Sequence, residues 1–115
     1  MHSESEIRSA IKPLVEFYGE MTTSEVKQHL EEVLDYDDDD RIPSETRNEI
    51  LITQRIGNIV AHQRDTVKVY SEGFIVDKSF TPAHFFAIKG FVKIFLFFIF
   101  YAHIFFFFYS ITIFL

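Results

Sequence analysis

The sequence predicts an α+β domain, three helices followed by a β-hairpin, with an uncharged apolar segment behind it. Three observations carry this. Apolar residues recur at helical spacing in three separate stretches up to His62. Aromatic and β-branched runs then follow between Gly73 and Ile88, the composition of strands. Finally, Ile94 to Leu115 contains no charged residue over 22 positions.

The chain of 115 residues therefore divides into a domain over 1–88 and a Phe-rich tail over 89–115. Residues 1–88 hold all 17 acidic residues and nine of the eleven basic ones, while 89–115 holds Lys89, Lys93 and ten of the fifteen Phe. The first part is itself uneven. Residues 1–45 carry a net charge of about −9 and residues 46–88 about +1. A net-acidic protein binds nucleic acid when one face is relatively positive and the acids lie elsewhere, so the asymmetry permits DNA as a partner. The absence of Cys excludes disulfides, thiolate metal sites and thiol nucleophiles. The polar, acidic start MHSESEIRSA is not a signal peptide, which points to a cytoplasmic domain.

Taken in order, Ser3 with Glu6 has the spacing of a capping box, and Ile7, Ile11, Leu14, Val15 and Tyr18 supply the stripe of a first helix. Pro13 inside that pattern is expected to kink the helix or to mark its true first turn near Lys12. Gly19 is the expected C-cap, and Glu20-Met21 could be one small strand. Thr22 and Glu25 open a second helix to Leu34, with Val26, Leu30, Val33 and Leu34 inward. Lys27, Gln28, Glu31 and Glu32 read as a solvated face. Asp35 to Asp40, DYDDDD, is a run of like charges, expected to be an exposed and mobile loop. Its alternate aspartates suggest calcium, but Asp40 stands where an EF-hand loop needs Gly and Thr46 where it needs Glu.

Ser44 can cap the next helical turn, and from Ile52 onward an amphipathic helix runs to His62. Ile52, Ile56, Ile59 and Val60 form one stripe, and at about 100° per residue Gln54, Arg55, Asn58, Ala61 and His62 fall opposite it. That polar face has amides, a guanidinium and no carboxylate, and such side chains pair bidentately with adenine and guanine edges. Gly57 lies inside the helix at a cost of about 1 kcal/mol relative to Ala, offset by close packing or by close approach to a ligand. A polar exit with a short strand at Val67–Tyr70 leads to strands over 73–77 and 83–88, joined by a loop over 78–82. Phe74, Val76, Phe85 and Ala87 face inward by alternation, and His84 outward.

Three helices followed by a hairpin is the order of a winged helix-turn-helix, in which the third helix enters the major groove and the hairpin lies along the backbone. In that arrangement Gln54, Arg55 and Asn58 read bases while Arg64, Lys68 and Lys78 contact phosphates and set register. The stretches TSEVKQHLEEVL, RNEILITQRIGNIVAHQ, YSEGFIVDKS and PAHFFAI also resemble the winged-helix DNA-recognition domains attached to bacterial restriction endonucleases, over roughly residues 5–88. The resemblance implies that Arg47, Gln54, Arg55 and Asn58 face double-stranded DNA, with Lys78 and Ser79 at the wing; His62 completes the helix face. The sequence departs from that family in having no nuclease domain. There is no spaced Asp…Glu-x-Lys cluster, no His-Asn-His arrangement and no Gly-rich phosphate loop, and the five His lack metal-ligand spacing. The expectation is a binding protein rather than an enzyme, with no cofactor and no metal.

The tail admits two readings. As a helix rising about 1.5 Å per residue, 94–115 is long enough to span a bilayer core of roughly 30 Å, and Lys89 and Lys93 would leave residues 1–88 on the cytoplasmic side. A tail-anchored protein whose acidic domain binds a protein partner is accordingly the alternative function. The string FLFFIFYAHIFFFFYSITIFL is also what AT-rich DNA translated out of frame would encode.

Overall fold

A computed structural model describes residues 1–88 together with Ala102 and Ile104; apart from those two, the expected membrane helix or out-of-frame tail lies outside the described residues. Helix α1 spans Glu4–Tyr18, strand β1 Glu20–Thr22 and helix α2 Thr23–His29, which tightens into a 3₁₀ turn over Leu30–Glu32. Helix α3 spans Leu51–His62, and strands β2 (Val67–Tyr70), β3 (Phe74–Asp77) and β4 (His84–Ala87) follow. The four strands make one antiparallel sheet in the order β1-β4-β3-β2. The α+β class and three helices agree with the sequence, and the hairpin is widened into a four-stranded sheet.

Local signals place the helices. The Ser3 hydroxyl accepts the amide of Glu6, and the Thr22 hydroxyl accepts that of Glu25 while the Glu25 carboxylate accepts from the Thr22 amide in return. Gly19 ends α1 at φ 84°, where its amide reaches the carbonyl of Val15 at 2.6 Å. Four sequence expectations change here. Pro13 does not mark a first turn, because α1 runs from Glu4 through it to Tyr18; the Pro removes one internal hydrogen bond, and the buried stripe on either side holds the helix. The second helix ends as α-helix at His29, so Val33 is 41% exposed instead of core. The turn at Ser44 is not helical: its hydroxyl accepts from the amides of Thr46 and Arg47, and an isolated bridge between Pro43 and Ile50 closes the loop. Tyr18 turns outward to donate its hydroxyl to Glu32 at 2.9 Å.

The core lies between the helices and one face of the sheet. Ile7, Ile11, Leu14 and Val15 of α1, Val26 and Leu30, and Ile52, Ile56 and Ile59 of α3 meet Met21, Phe74, Val76 and Phe85 from the strands. Each such side chain contributes roughly 1.5–3 kcal/mol on full burial. Phe74 stacks on Phe85 at 5.8 Å and on Tyr70 at 4.9 Å, so aromatic contacts cross three strands. Val60 and Ala87, expected inside, are partly buried and pack against this core. On the outer face Val69, Ile75 and Phe86 align in register, with Val67, Asp77 and His84 in the next row. The edge position of β2 leaves Val67 and Val69 exposed.

Candidate functional site

Helix α3 is positioned by its apolar stripe, and its start is fixed by the preceding loop rather than by a side-chain cap. The amide of Leu51 reaches the carbonyl of Ile42 at 2.8 Å and that of Ile52 the carbonyl of Asp40 at 3.2 Å. With Ile52, Ile56 and Ile59 at full burial, the opposite face carries Leu51, Gln54, Arg55 and Asn58 into a cleft of about 300 Å³ shared with Met1 and Glu4. The three predicted base-reading residues are thus brought together. They are half-buried rather than freely exposed, because the first residues of the chain lie against them.

That neighbour alters the electrostatics expected of the face. No carboxylate comes from α3 itself, but Glu4 of α1 approaches His62 Nδ1 to 3.4 Å and Arg8 to 3.7 Å. Arg55 Nη2 lies 3.4 Å from the sulfur of Met1. The face is therefore mixed in charge at its rim.

The remaining predicted contacts fall around the helix. Arg47 sits on another side, where its guanidinium meets Glu49 at 3.8 Å, and Lys27 reaches the same Glu49 at 3.0 Å. Both cations cross Gly57: a Cβ there would stand 3.4 Å from Arg47 Nη1 and 3.6 Å from Lys27 Nζ. A Cβ at that spacing would be in ordinary contact with the ends of two flexible side chains, so neither close helix packing nor backbone strain demands glycine at this position. Lys27, read from sequence as solvated, belongs to this group. Lys78 donates to the carbonyl of Gln63 at 3.2 Å, which brings the start of the β3–β4 turn to the end of α3 beside the exposed Arg64. Ser79 is engaged locally, its amide and hydroxyl both donating to Asp77. Lys68 lies on the edge strand with its ammonium 5.4 Å from the Tyr70 ring.

A second constellation was not legible in the sequence. Asp40 is completely buried, contrary to the mobile, exposed loop expected of DYDDDD. One carboxylate oxygen accepts from the amide of His2 at 2.9 Å; the other accepts from the amide of Asp37 at 3.0 Å and lies 2.5 Å from His2 Nδ1. Burial pushes the Asp40 carboxyl up, but the amides of His2 and Asp37 and the imidazole outweigh it and take it down to about 2. Asp37 in turn accepts from the amide of Asp40 and holds the chain's first amino group at 2.6 Å. The Met1 ammonium bonded to Asp37 lowers that carboxyl, and the same contact raises the ammonium. Sequence offered no signal for this: the one adjacent cation, Arg41, turns away to Glu31 at 2.6 Å. The partners of Asp37 and Asp40 come from residues 1 and 2.

No protein-family model matches the chain, and comparisons with curated proteins and with solved structures give no significant match. Among the described residues no helix is long and apolar enough to cross a membrane.

Proposed function

We propose that residues 1–88 form a winged helix-turn-helix module that binds double-stranded DNA through α3, in the manner of the recognition domain of a restriction-type endonuclease separated from its nuclease. One observation carries the reading. α3 buries its isoleucine stripe completely while Gln54, Arg55 and Asn58 share one surface cleft, with α2 packed across the helix and the β3–β4 turn joined to its end through Lys78. The strand order supports it, since β1 pairs with the second strand of the β3–β4 hairpin and anchors the hairpin beside the helices. Gln54, Arg55 and Asn58 then supply base contacts, His62, Arg64, Lys68, Lys78 and Ser79 supply backbone contacts, and Arg47 adds one from the side of the helix that it shares with Lys27 and Glu49.

Fluorescence anisotropy of the full chain in mild detergent with labelled duplex DNA tests this. Binding at low salt that weakens steeply as salt rises is expected. Arg55→Ala with Asn58→Ala should weaken it at least tenfold, at about 1–3 kcal/mol for each bidentate contact. Absence of binding, or binding indifferent to the double substitution, overturns the reading. A second reading, a membrane-tethered module that docks a protein partner, draws support from Phe17, 81% exposed on α1, and from the exposed Val67, Val69 and Phe80. Carbonate extraction of membranes tests the tether: release of the chain into the soluble fraction sinks it.

A further inference from the structure

The network around Asp40 gathers donors of a kind that hydrogen bonding alone does not require. Ring nitrogen of His2 and carboxylate oxygens of Asp37 and Asp40 all lie within 4.8 Å of one another, although His2 is 38 residues from Asp40. His2 Nδ1 points at Asp40, and the far ring nitrogen, Nε2, faces Glu6 Oε2 at 4.0 Å, beyond hydrogen-bond distance.

We infer that His2, Asp37 and Asp40 form a binding site for a divalent first-row transition metal ion of the zinc class. The donor set decides the class. One imidazole and two carboxylates suit zinc, manganese or ferrous iron, whereas calcium takes six to eight oxygens and the alternate aspartates of an EF-hand. Geometry fits with a small adjustment. Metal–ligand bonds of about 2.0–2.2 Å set tetrahedral ligand atoms roughly 3.4 Å apart. The 2.5 Å between His2 Nδ1 and Asp40 has to open toward that spacing as the ring moves to admit an ion. Two cationic or proton-bearing groups, the Met1 ammonium and the His2 ring, already stand on these aspartates where an ion would neutralise them. Binding at Nδ1 moves the ring off Asp40, while Asp40 stays in place through the amide of Ile52 on its carbonyl. The ion ties the first residues of the chain to the loop that starts α3. This site is independent of the DNA reading.

The probe is Co²⁺, titrated into the detergent-solubilised full chain at neutral pH and followed by its visible d–d absorption, then displaced by Zn²⁺. One saturable site per chain, of micromolar affinity or tighter, is expected. His2→Gln should lower affinity at least tenfold, since it removes the one nitrogen ligand. His29→Gln and His84→Gln, each removing an imidazole 2.7 Å from a single carboxylate, should change nothing. His2 precedes α1 and lies outside the core, so His2→Gln keeps the fold even where Asp40→Asn does not. Binding that does not saturate, or that is retained in full by His2→Gln, overturns the site.

Discussion

Two aspartate-led turns, Asp37–Asp40 before α3 and Asp77–Ser79 after β3, share a local hydrogen-bond pattern and do different work. Each pairs an Asp carboxylate with a backbone amide a few residues away: Asp37 with the amide of Asp40 at 2.8 Å, and Asp77 with that of Ser79 at 2.9 Å. The Asp77 turn is complete in itself, with the Ser79 hydroxyl at 2.6 Å as its second donor. The Asp37 turn instead directs a second carboxylate, Asp40, inward to His2, while the Asp40 carbonyl accepts from the amide of Ile52, so this one residue joins the start of α1 to the start of α3. The difference is burial with long-range partners. A solvated turn spends its hydrogen bonds locally, whereas a buried carboxylate must find donors, and two of its three come from His2.

The largest expected effect follows from that. Asp40→Ala leaves the amides of His2 and Asp37 without an acceptor and frees the end of the chain. A loss of about 2–3 kcal/mol is expected, since each buried donor left unmade costs roughly 1–3 kcal/mol. For a domain of this size it corresponds to a fall in Tm on the order of 10–20 °C by circular dichroism. An unchanged Tm would show that the two turns are equivalent after all.

The same contrast predicts an acid limb in stability. In the folded chain the Asp40 carboxyl titrates at about 2, below its ordinary value of 3.8, so the unfolded chain binds the proton first as pH falls. The stabilisation is complete above about pH 4 and disappears as pH drops from there toward 2, an effect on the order of 1–2 kcal/mol. Denaturant unfolding at pH 5, 4, 3 and 2 reads it. Asp40→Asn should flatten most of this limb. Asp77 is also lowered, by the Ser79 hydroxyl first and its amide second, but water screens it, and Asp77→Asn should leave the limb in place.

What was legible in the sequence follows the range of the interactions. The caps at Ser3 and Thr22 and the stop at Gly19 were readable because every partner lies within four residues. The stripe of α3 was readable because its period is intrinsic to the helix, and so were Gln54, Arg55 and Asn58 opposite it. Pairing of β1 with β4 was not, since Met21 and Phe85 meet across the whole domain and three residues of strand carry little pattern. The cleft was half legible: the helix supplied its floor, and nothing local indicated that Met1 and Glu4 form its rim. Asp40 was misread for the same reason. Four consecutive aspartates suggest repulsion and solvent, and only the tertiary arrival of His2 converts one of them into a buried anchor.

The smallest expected effect is the one that separates the turns most cleanly. Asp77→Ala removes the acceptor for both the amide and the hydroxyl of Ser79. Both donors lie at the surface and regain water, so the global Tm should move several-fold less than for Asp40→Ala. The local consequence is different. Asp77 pairs with His84 across the hairpin, where the His84 ring stacks on Phe80 at 4.2 Å and meets Glu20 at 2.7 Å. Loosening the turn should therefore speed amide hydrogen exchange at Ser79 and Phe80 while leaving Ile52 and Ile56 of α3 protected. Faster exchange throughout α3 would mean that the β3–β4 turn, like the Asp40 loop, is coupled to that helix, with the Lys78 contact to Gln63 as the link.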